Sequence, residues 1–367
     1  MIRWIVAISA VLMLPYAGGA AALDWTIERA DCGTQYKNMT DRSLAIDATG
    51  HPHIGYGWHD LHHAWHDGAS WHIETVDSVG DVGWYTAVAL DGSGYPHMSY
   101  YDRSNRDLKY AYEDASGWHT EAIDSAGDVG SYTSLDLDGL GYPHISYNDA
   151  TNGDLKYAHK DASGWHLETV DTQGNGGWYT SLAVGADGYA HISYSSNQFG
   201  NLKYACRDPS GWHIETVEAS SRYSSLFLDA SGSPRISYGA PSGLKHAWRD
   251  STGWHTQLVD GGVGSWGYTS LALDGFGKAR ISYYASGVGL KYAYWDGFGW
   301  QTQIVEGTEA AGRHTSLVLD GDGYAHITYC GGGHRPVEAR SVRRFRVEHR
   351  DSRAGLRRRP AHLAGSG

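Results

Sequence analysis

The sequence predicts an all-β chain folded as a seven-bladed β-propeller of four-stranded antiparallel blades, and three observations carry that expectation. The stretch YTSLDLDGLGYPHISYNDATNGDLKYAHKDASGWHLETVDTQGNGGW, from Tyr132 to Trp178, recurs along the chain. Further versions begin at Tyr85, Tyr179, Tyr223, Tyr268 and His314, with a worn one from about Met39. Each copy holds four short runs of alternating apolar and polar residues, typified by TSLDLD, HISYN, LKYAH and WHLETVD, as half-buried strands do. Turn-forming Gly, Asp and Asn separate the runs, and four strands every forty-odd residues, roughly, make one propeller blade.

Taken in order, residues 1–22 read as a secretory signal. Arg3 supplies the positive start, residues 4–14 the apolar run, and Ala20, Ala21 and Ala22 the small-residue cleavage site. That run is short for a membrane span, so the mature chain is expected outside the cytoplasm, secreted, with no stable membrane insertion after cleavage. Trp25 to Asp31 then matches the fourth-strand pattern without three strands before it. Such a strand is expected to complete the last, incomplete blade and so remove an exposed sheet edge.

Over residues 23–332 the repeats follow at spacings of about 44–47 residues. First strands end at Asp47, Asp91, Asp138, Asp229, Asp274 and Asp320, with Gly185 in one copy, and third strands open at Leu61, Leu108, Leu155, Leu202, Leu244 and Leu290. Fourth strands open at Trp71, Trp118, Trp165, Trp212, Trp254 and Trp300. The pattern stops after Cys330. Residues 333–367 are Arg-rich, match no repeat and are expected to be disordered. Shifted by one base, one encoding of this tail reads GTDLWKHARYDGSGWNTETVEP, a third and fourth strand with the Gly-Trp turn between them. A frameshift product is therefore the expectation for the tail.

Abundant Gly (49), Tyr (26) and Trp (15) against scarce Phe (5) and Met (4) suit short strands and tight turns. The tail carries ten Arg against three acids, a local +7 within a chain of net charge −12, so the remainder stands at −19. An acidic body argues against a nucleic-acid partner. Three cysteines make no disulfide framework. Cys206 sits in a third strand, and a Cys32–Cys330 bridge across the joined ends is allowed.

With first strands lining a central channel, the connections divide between two faces. First-to-second and third-to-fourth turns are nearly invariant, whereas second-to-third loops and interblade links vary in length and composition. Invariant turns serve structure, so the variable face is where a ligand is expected. Its candidate residues are Trp84, Tyr85, Trp178, Tyr179, Trp266 and Tyr268 at the ends of links, with Asp81, Asp128, Arg222 and Arg313 nearby. Asp102 and Asp149 come from second-to-third loops. Aromatic platforms beside carboxylates suit sugar rings, and also a peptide segment.

The third-to-fourth turn, as in DASGWHTE (114–121) and DPSGWHIE (208–215), resembles the Asp-box of neuraminidase-type repeats. The general plan is also similar to propeller lectins. The resemblance implies a structural role for Asp114/Trp118, Asp161/Trp165 and Asp208/Trp212, which would staple turns and pack between blades. It also raises sialidase chemistry, which needs an Arg cluster for a carboxylate. Arg235 and Arg280 start second strands while Arg222 and Arg313 precede first strands, at opposite strand ends about 13–20 Å apart, so they cannot converge. No Arg-Ile-Pro signature is present, which leaves no catalytic residues to nominate.

Recurrent His53, His97, His144, His191 and His326 occupy one position in separate blades, which suits a repeated hydrogen bond better than a metal ring. His62 and His66 stand about 13 Å apart on one strand face, too far for a shared metal, and His63 points away. DLDG at 136–139 and DGDG at 320–323 lack the spaced acids of a calcium loop and read as hairpin turns. Neither metal nor cofactor is expected. Near-identical copies favour a secreted, non-enzymatic recognition module for a glycan or an extracellular protein. The alternative is an exported glycan-active hydrolase or lyase of neuraminidase-like fold.

Overall fold

The computed structural model describes residues 25–30, 39–198, 200–262, 267–309, 311–330 and 337–341. They build an all-β propeller of four-stranded antiparallel blades. Six sheets each use four consecutive strands and span residues 44–77, 84–124, 129–171, 178–218, 222–261 and 269–306, here blades 1 to 6. One further sheet has the order Thr26–Arg29, Val337–Ser341, Ala325–Cys330, Arg313–Leu319, which places the N-terminal strand outermost. Its third-position strand lies in the Arg-rich segment, where the sequence pattern offers no strand. The rest of 333–367, and the signal-like residues 1–22, lie outside the described residues.

Burial follows the alternation within each copy. Second strands such as Pro143–Asp149 are buried at every position because neighbouring blades cover both faces. Fourth strands such as Gly164–Asp171 are half-buried or exposed over most of their length and buried only at the last two residues, as the outer edge of a blade should be.

Three ties repeat between blades, and each starts from a residue type fixed in the copies. Nearest the axis, the Leu amide of one first strand donates to a Ser hydroxyl of the preceding one: Leu182 to Ser134 at 3.0 Å, Leu226 to Ser181 at 2.9 Å, Leu271 to Ser225 at 3.0 Å and Leu317 to Ser270 at 2.9 Å. The same bond runs from Leu44 of blade 1 to Ser316 of the composite sheet, at 3.2 Å. At mid-radius an acid ending a fourth strand accepts from Tyr and Lys of the next blade. Asp77 receives the Tyr100 hydroxyl at 2.7 Å and the Lys109 ammonium, and Asp124 receives Tyr147 at 2.8 Å and Lys156. Burial works to raise both acids, but the Lys, Tyr and backbone donors outweigh it and hold them below the usual carboxylate range.

At the outer edge, the Trp that opens a fourth strand donates its indole N–H to an acid of the preceding blade. Trp165 reaches Glu121 at 3.0 Å, Trp212 reaches Glu168 at 2.9 Å and Trp254 reaches Glu215 at 2.7 Å. Each Trp also stands edge-on to a preceding Tyr, as Trp165 does to Tyr110 at 5.3 Å. Asp114, Asp161 and Asp208 accept from the backbone N–H and hydroxyl of Ser116, Ser163 and Ser210 within their own turns. Both residues of each Asp/Trp pair thus serve the scaffold.

A candidate binding cup on the propeller axis

First strands do not begin in register with their partners. Pairing slips between Trp84 and Ala87, Ser131 and Ser134, Trp178 and Ser181, Arg222 and Ser225, and Arg313 and Ser316. Each slip is a bulge, and a bulge re-aims the side chain it carries. The residue so placed is left-handed: Tyr85 (φ 55°), Tyr132 (56°), Tyr179 (53°), Tyr223 (50°) and His314 (53°).

Their rings, with Tyr268, form a wall around the axis. Successive centroids from Tyr85 through Tyr132, Tyr179, Tyr223 and Tyr268 to His314 are 4.5, 4.8, 4.2, 4.1 and 4.1 Å apart. Met39 takes the blade 1 position, and its carbonyl accepts the His314 Nδ1–H at 2.9 Å. That bond leaves His314 Nε2 as an acceptor. Burial pushes the His314 pKa down to about 4, with Arg313 acting the same way and the Met39 carbonyl opposing. The ring is therefore neutral at pH 7. Burial and then the neighbouring phenols raise Tyr132, Tyr179 and Tyr268, and burial raises Tyr85, so these hydroxyls stay protonated.

Blade 1 supplies the floor by breaking the repeat. Against Tyr85-Thr86-Ala87-Val88, the segment Met39-Thr40-Asp41-Arg42-Ser43-Leu44 carries two extra residues, Asp41 and Arg42. They reach across the channel. Asp41 Oδ2 accepts the Ser181 hydroxyl at 2.7 Å, and the Asp41 carbonyl accepts Ser270 at 3.1 Å and Ser316 at 2.8 Å. Arg42 donates to the Leu226 carbonyl and lies over the Phe227 ring at 6.0 Å. Burial raises the Asp41 pKa, opposed by Arg42 and by the hydroxyls of Ser181 and Ser225. Wall and floor enclose a pocket of about 130 Å³.

The sequence-derived candidates scatter around this cup. Tyr85, Tyr179 and Tyr268 belong to its wall. Trp84, Trp178, Arg222 and Arg313 each precede a wall position and form a partial outer rim. Trp84 stacks on Trp58 at 4.6 Å, donates to Asp81 at 2.9 Å and lies under Arg103 at 5.0 Å. Trp178 packs beside Tyr132 at 5.1 Å. Arg222 donates to the Gln198 carbonyl at 2.5 Å, and exposed Arg313 lies over Tyr284 at 5.5 Å. Asp128 accepts the Tyr101 hydroxyl at 2.8 Å.

Asp102 and Asp149 are a correction. They are 1% and 2% exposed, and their carboxylates are taken by their own hairpins, through Asn105 and Asn152 at 2.9 Å each. Trp266 lies outside the described residues. Tyr132, Tyr223, His314 and Asp41 were not singled out from sequence. The recurrent Tyr that opens each copy was the available signal for the first two, and the misfit length of the first copy for Asp41.

The recurrent histidines hold repeated hydrogen bonds. His97, His144 and His191 meet the hydroxyls of Tyr110, Tyr157 and Tyr204, His53 meets His63 at 3.0 Å, and His326 meets Asp320 at 3.0 Å. His63 also bonds Glu74 at 3.0 Å. Arg235 and Arg280 pair with Asp229 at 2.8 Å and Asp274 at 2.7 Å at the starts of their own second strands. Asp138 and Asp320 accept backbone N–H groups of their own turns, as hairpin acids do. Cys330 is a buried thiol with Sγ 3.7 Å from Met39 Sδ, and Cys32, the other half of the allowed bridge, lies outside the described residues.

No protein-family model matches the chain, the Asp-box repeat included, and no curated protein matches it in sequence. Solved structures do match. An ulvan lyase, a polysaccharide lyase bound to -[GlcA(1-4)Rha3S]-, aligns with TM-score 0.57 at 12% identity over 86% of this chain and 95% of its own. A mutant of the Aleuria aurantia lectin in complex with Fucalpha1-6GlcNAc aligns with TM-score 0.51 at 14% identity over 75% of this chain and 97% of its own. AofleA from Arthrobotrys oligospora gives TM-score 0.51 at 15% identity over 77% of this chain and 90% of its own. At such identities the likeness establishes the fold, an all-β propeller of four-stranded blades.

Proposed function

We propose that this chain is an exported carbohydrate-binding propeller that takes a glycan residue, without transforming it, in the axial cup. The observation that carries this is the contiguous wall of five Tyr rings and His314 around a pocket of about 130 Å³ floored by Asp41. Phenol faces suit the apolar faces of a sugar ring, while the hydroxyls, His314 Nε2 and the Thr and Ser hydroxyls below suit its edges. Carbohydrate complexes among the similar folds support the ligand class. Export is supported by the signal-like character of residues 1–22.

The propeller is proposed to be seven-bladed, with the N-terminal strand completing the seventh blade. Two contacts across that seam support it. Trp71 of blade 1 donates to Glu28 at 3.2 Å, and Trp25 stands edge-on to Tyr292 at 5.3 Å, repeating the outer-edge tie of the other blades.

A glycan array with the full chain tests the function, alongside Tyr179→Ala and Tyr223→Ala. Binding of a defined glycan that falls at least tenfold in both variants, with far-UV circular dichroism unchanged, is expected. Array binding that survives both substitutions overturns the cup as the site. Release of shortened or unsaturated oligosaccharide from a bound polysaccharide would make the chain a glycan-active enzyme instead.

A further inference from the structure

Blades 5 and 6 meet in a cleft of about 300 Å³ on the face opposite the cup, lined by Arg235, His246, Trp248, Gln257, Trp295 and Trp300 among others. That volume is at the lower end of ligand pockets, about 300–1,000 Å³. The other copies show what the repeat normally puts there. Between blades 2 and 3 the corresponding positions hold His97, Tyr110, Glu121, Lys160 and Trp165. His97 meets the Tyr110 hydroxyl, and Glu121 accepts both Lys160 at 3.1 Å and Trp165 at 3.0 Å. Between blades 3 and 4, His144, Tyr157, Glu168, Arg207 and Trp212 do the same, with Arg207 at 3.0 Å from Glu168. Their cross-blade acids, cations and Trp indoles are paired, although His97 Nε2 is itself buried without a hydrogen-bond partner among the described residues.

At the 5–6 interface four of the five positions change together. Arg235 replaces His, His246 replaces Tyr, Gln257 replaces Glu, and Trp295 replaces the cation; Trp300 alone is kept. Each change has a physical consequence. His246 is shorter than Tyr, so the space above it opens. It is 6% exposed, and its Nε2 has no hydrogen-bond partner among the described residues. The cross-blade ion pair is gone, and Trp300 donates to the neutral Gln257 at 3.3 Å. The new cation, Arg235, is already balanced by Asp229, with its Nε at 3.1 Å and Nη2 at 2.8 Å.

Two further departures flank the same cleft. Phe298 is 97% exposed where other copies place Ser116, Ser163, Ser210 or Thr252, and Phe276 is 78% exposed where they place Ser93, Leu140 or Ser231.

We infer that this cleft is a second, lateral carbohydrate site that takes one pyranose residue. Trp248 and Trp295 offer the sugar's apolar face a platform, with the two Phe side chains at the rim. Arg235, Gln257 and the bare Nε2 of His246 take up its hydroxyls. The acid and cation of the repeat are both missing and Arg235 carries its own counter-ion, while Lys278 also lines the cleft. The site stands on the departures from the repeat and is independent of the axial cup.

The test titrates the full chain with the methyl α- and β-glycosides of glucose, galactose, mannose and fucose, read by tryptophan fluorescence and saturation-transfer NMR. Two variants return the cleft to the repeat and so keep the fold: H246Y, and the double variant Q257E/W295K that rebuilds the ion pair. At least one glycoside is expected to bind saturably, at least tenfold more weakly to each cleft variant and unchanged with Y223A. Absence of binding by every glycoside overturns the inference, as does binding equal in wild type and both cleft variants, or binding lost in Y223A alone. Self-association lost in F298S, without sugar binding, would make the cleft a protein contact and equally overturn it.

Discussion

Mild acid should destabilise this propeller well above the pH at which its carboxylates titrate, and His144 shows why. The ring is 5% exposed, with Nδ1 against the Tyr157 hydroxyl and Nε2 3.8 Å from Asp138. Burial pushes its pKa down to about 4; the Asp138 carboxylate opposes, while His159 and Arg207 push the same way. In an unfolded chain a histidine titrates near ~6.5. The folded value is the lower one, so the unfolded state binds more protons. The associated stability is present in full above about pH 6.5 and is lost as the pH falls toward about 4. At pH 5 the loss is about 2 kcal/mol for this one residue. Burial likewise lowers His53 and His314 to about 4 and His246 to about 3, so four such residues at pH 5 bring the loss to about 8 kcal/mol. A whole domain holds only about 5–15 kcal/mol. Urea unfolding at pH 7.5, 6.5, 5.5 and 5 gives the free energies directly. Wild type should lose stability steadily across that range, and H144Q should lose about 2 kcal/mol less between the extremes. Identical pH profiles for wild type and H144Q would refute the reasoning.

Other consequences can be checked singly. Asp124→Asn removes the charge that faces Lys156 at a buried blade interface and should lower the unfolding free energy by about 3–5 kcal/mol, whereas D124N/K156M should lose less because no bare charge remains. Gly130 has φ +104°, and a Cβ there would sit 2.7 Å from the Leu108 Cα, so Gly130→Ala should lower stability by more than ~1 kcal/mol in urea unfolding. We also propose that residues 333–355 are read out of frame; resequencing the coding region is expected to show the one-base shift, and an uninterrupted frame in related isolates would retire the proposal.

The fold was legible because a repeat repeats its errors as well as its rules. Alternation gave the strands, and the Trp at each fourth strand gave the edge that packs on the next blade. The cup was half legible. Tyr85 and Tyr179 could be marked as link ends, but their convergence depends on a bulge and a left-handed backbone, and an L-residue there carries no sequence signature. Asp102 and Asp149 misled because an acid in a variable loop reads the same whether it faces a ligand or its own Asn. Asp41 and Arg42 were visible as two surplus residues, yet nothing short of coordinates says that surplus chain turns inward. The turns on the opposite face were set aside as structural because most copies agree, and the disagreement of Phe276, Phe298 and Trp295 was lost in that average.

The left-handed residues of the cup wall have a consequence for how it would engage a ligand. Five non-glycine residues held at φ 50–56° each carry about 1 kcal/mol or more of backbone strain, which the surrounding sheet must overcome. A wall held that firmly is preorganised, so capture needs no loop to order itself and association is limited by encounter and orientation. Glycine at any of the five would ease the backbone and delete part of the wall, so drift toward sturdier variants and drift toward blunter recognition are the same path.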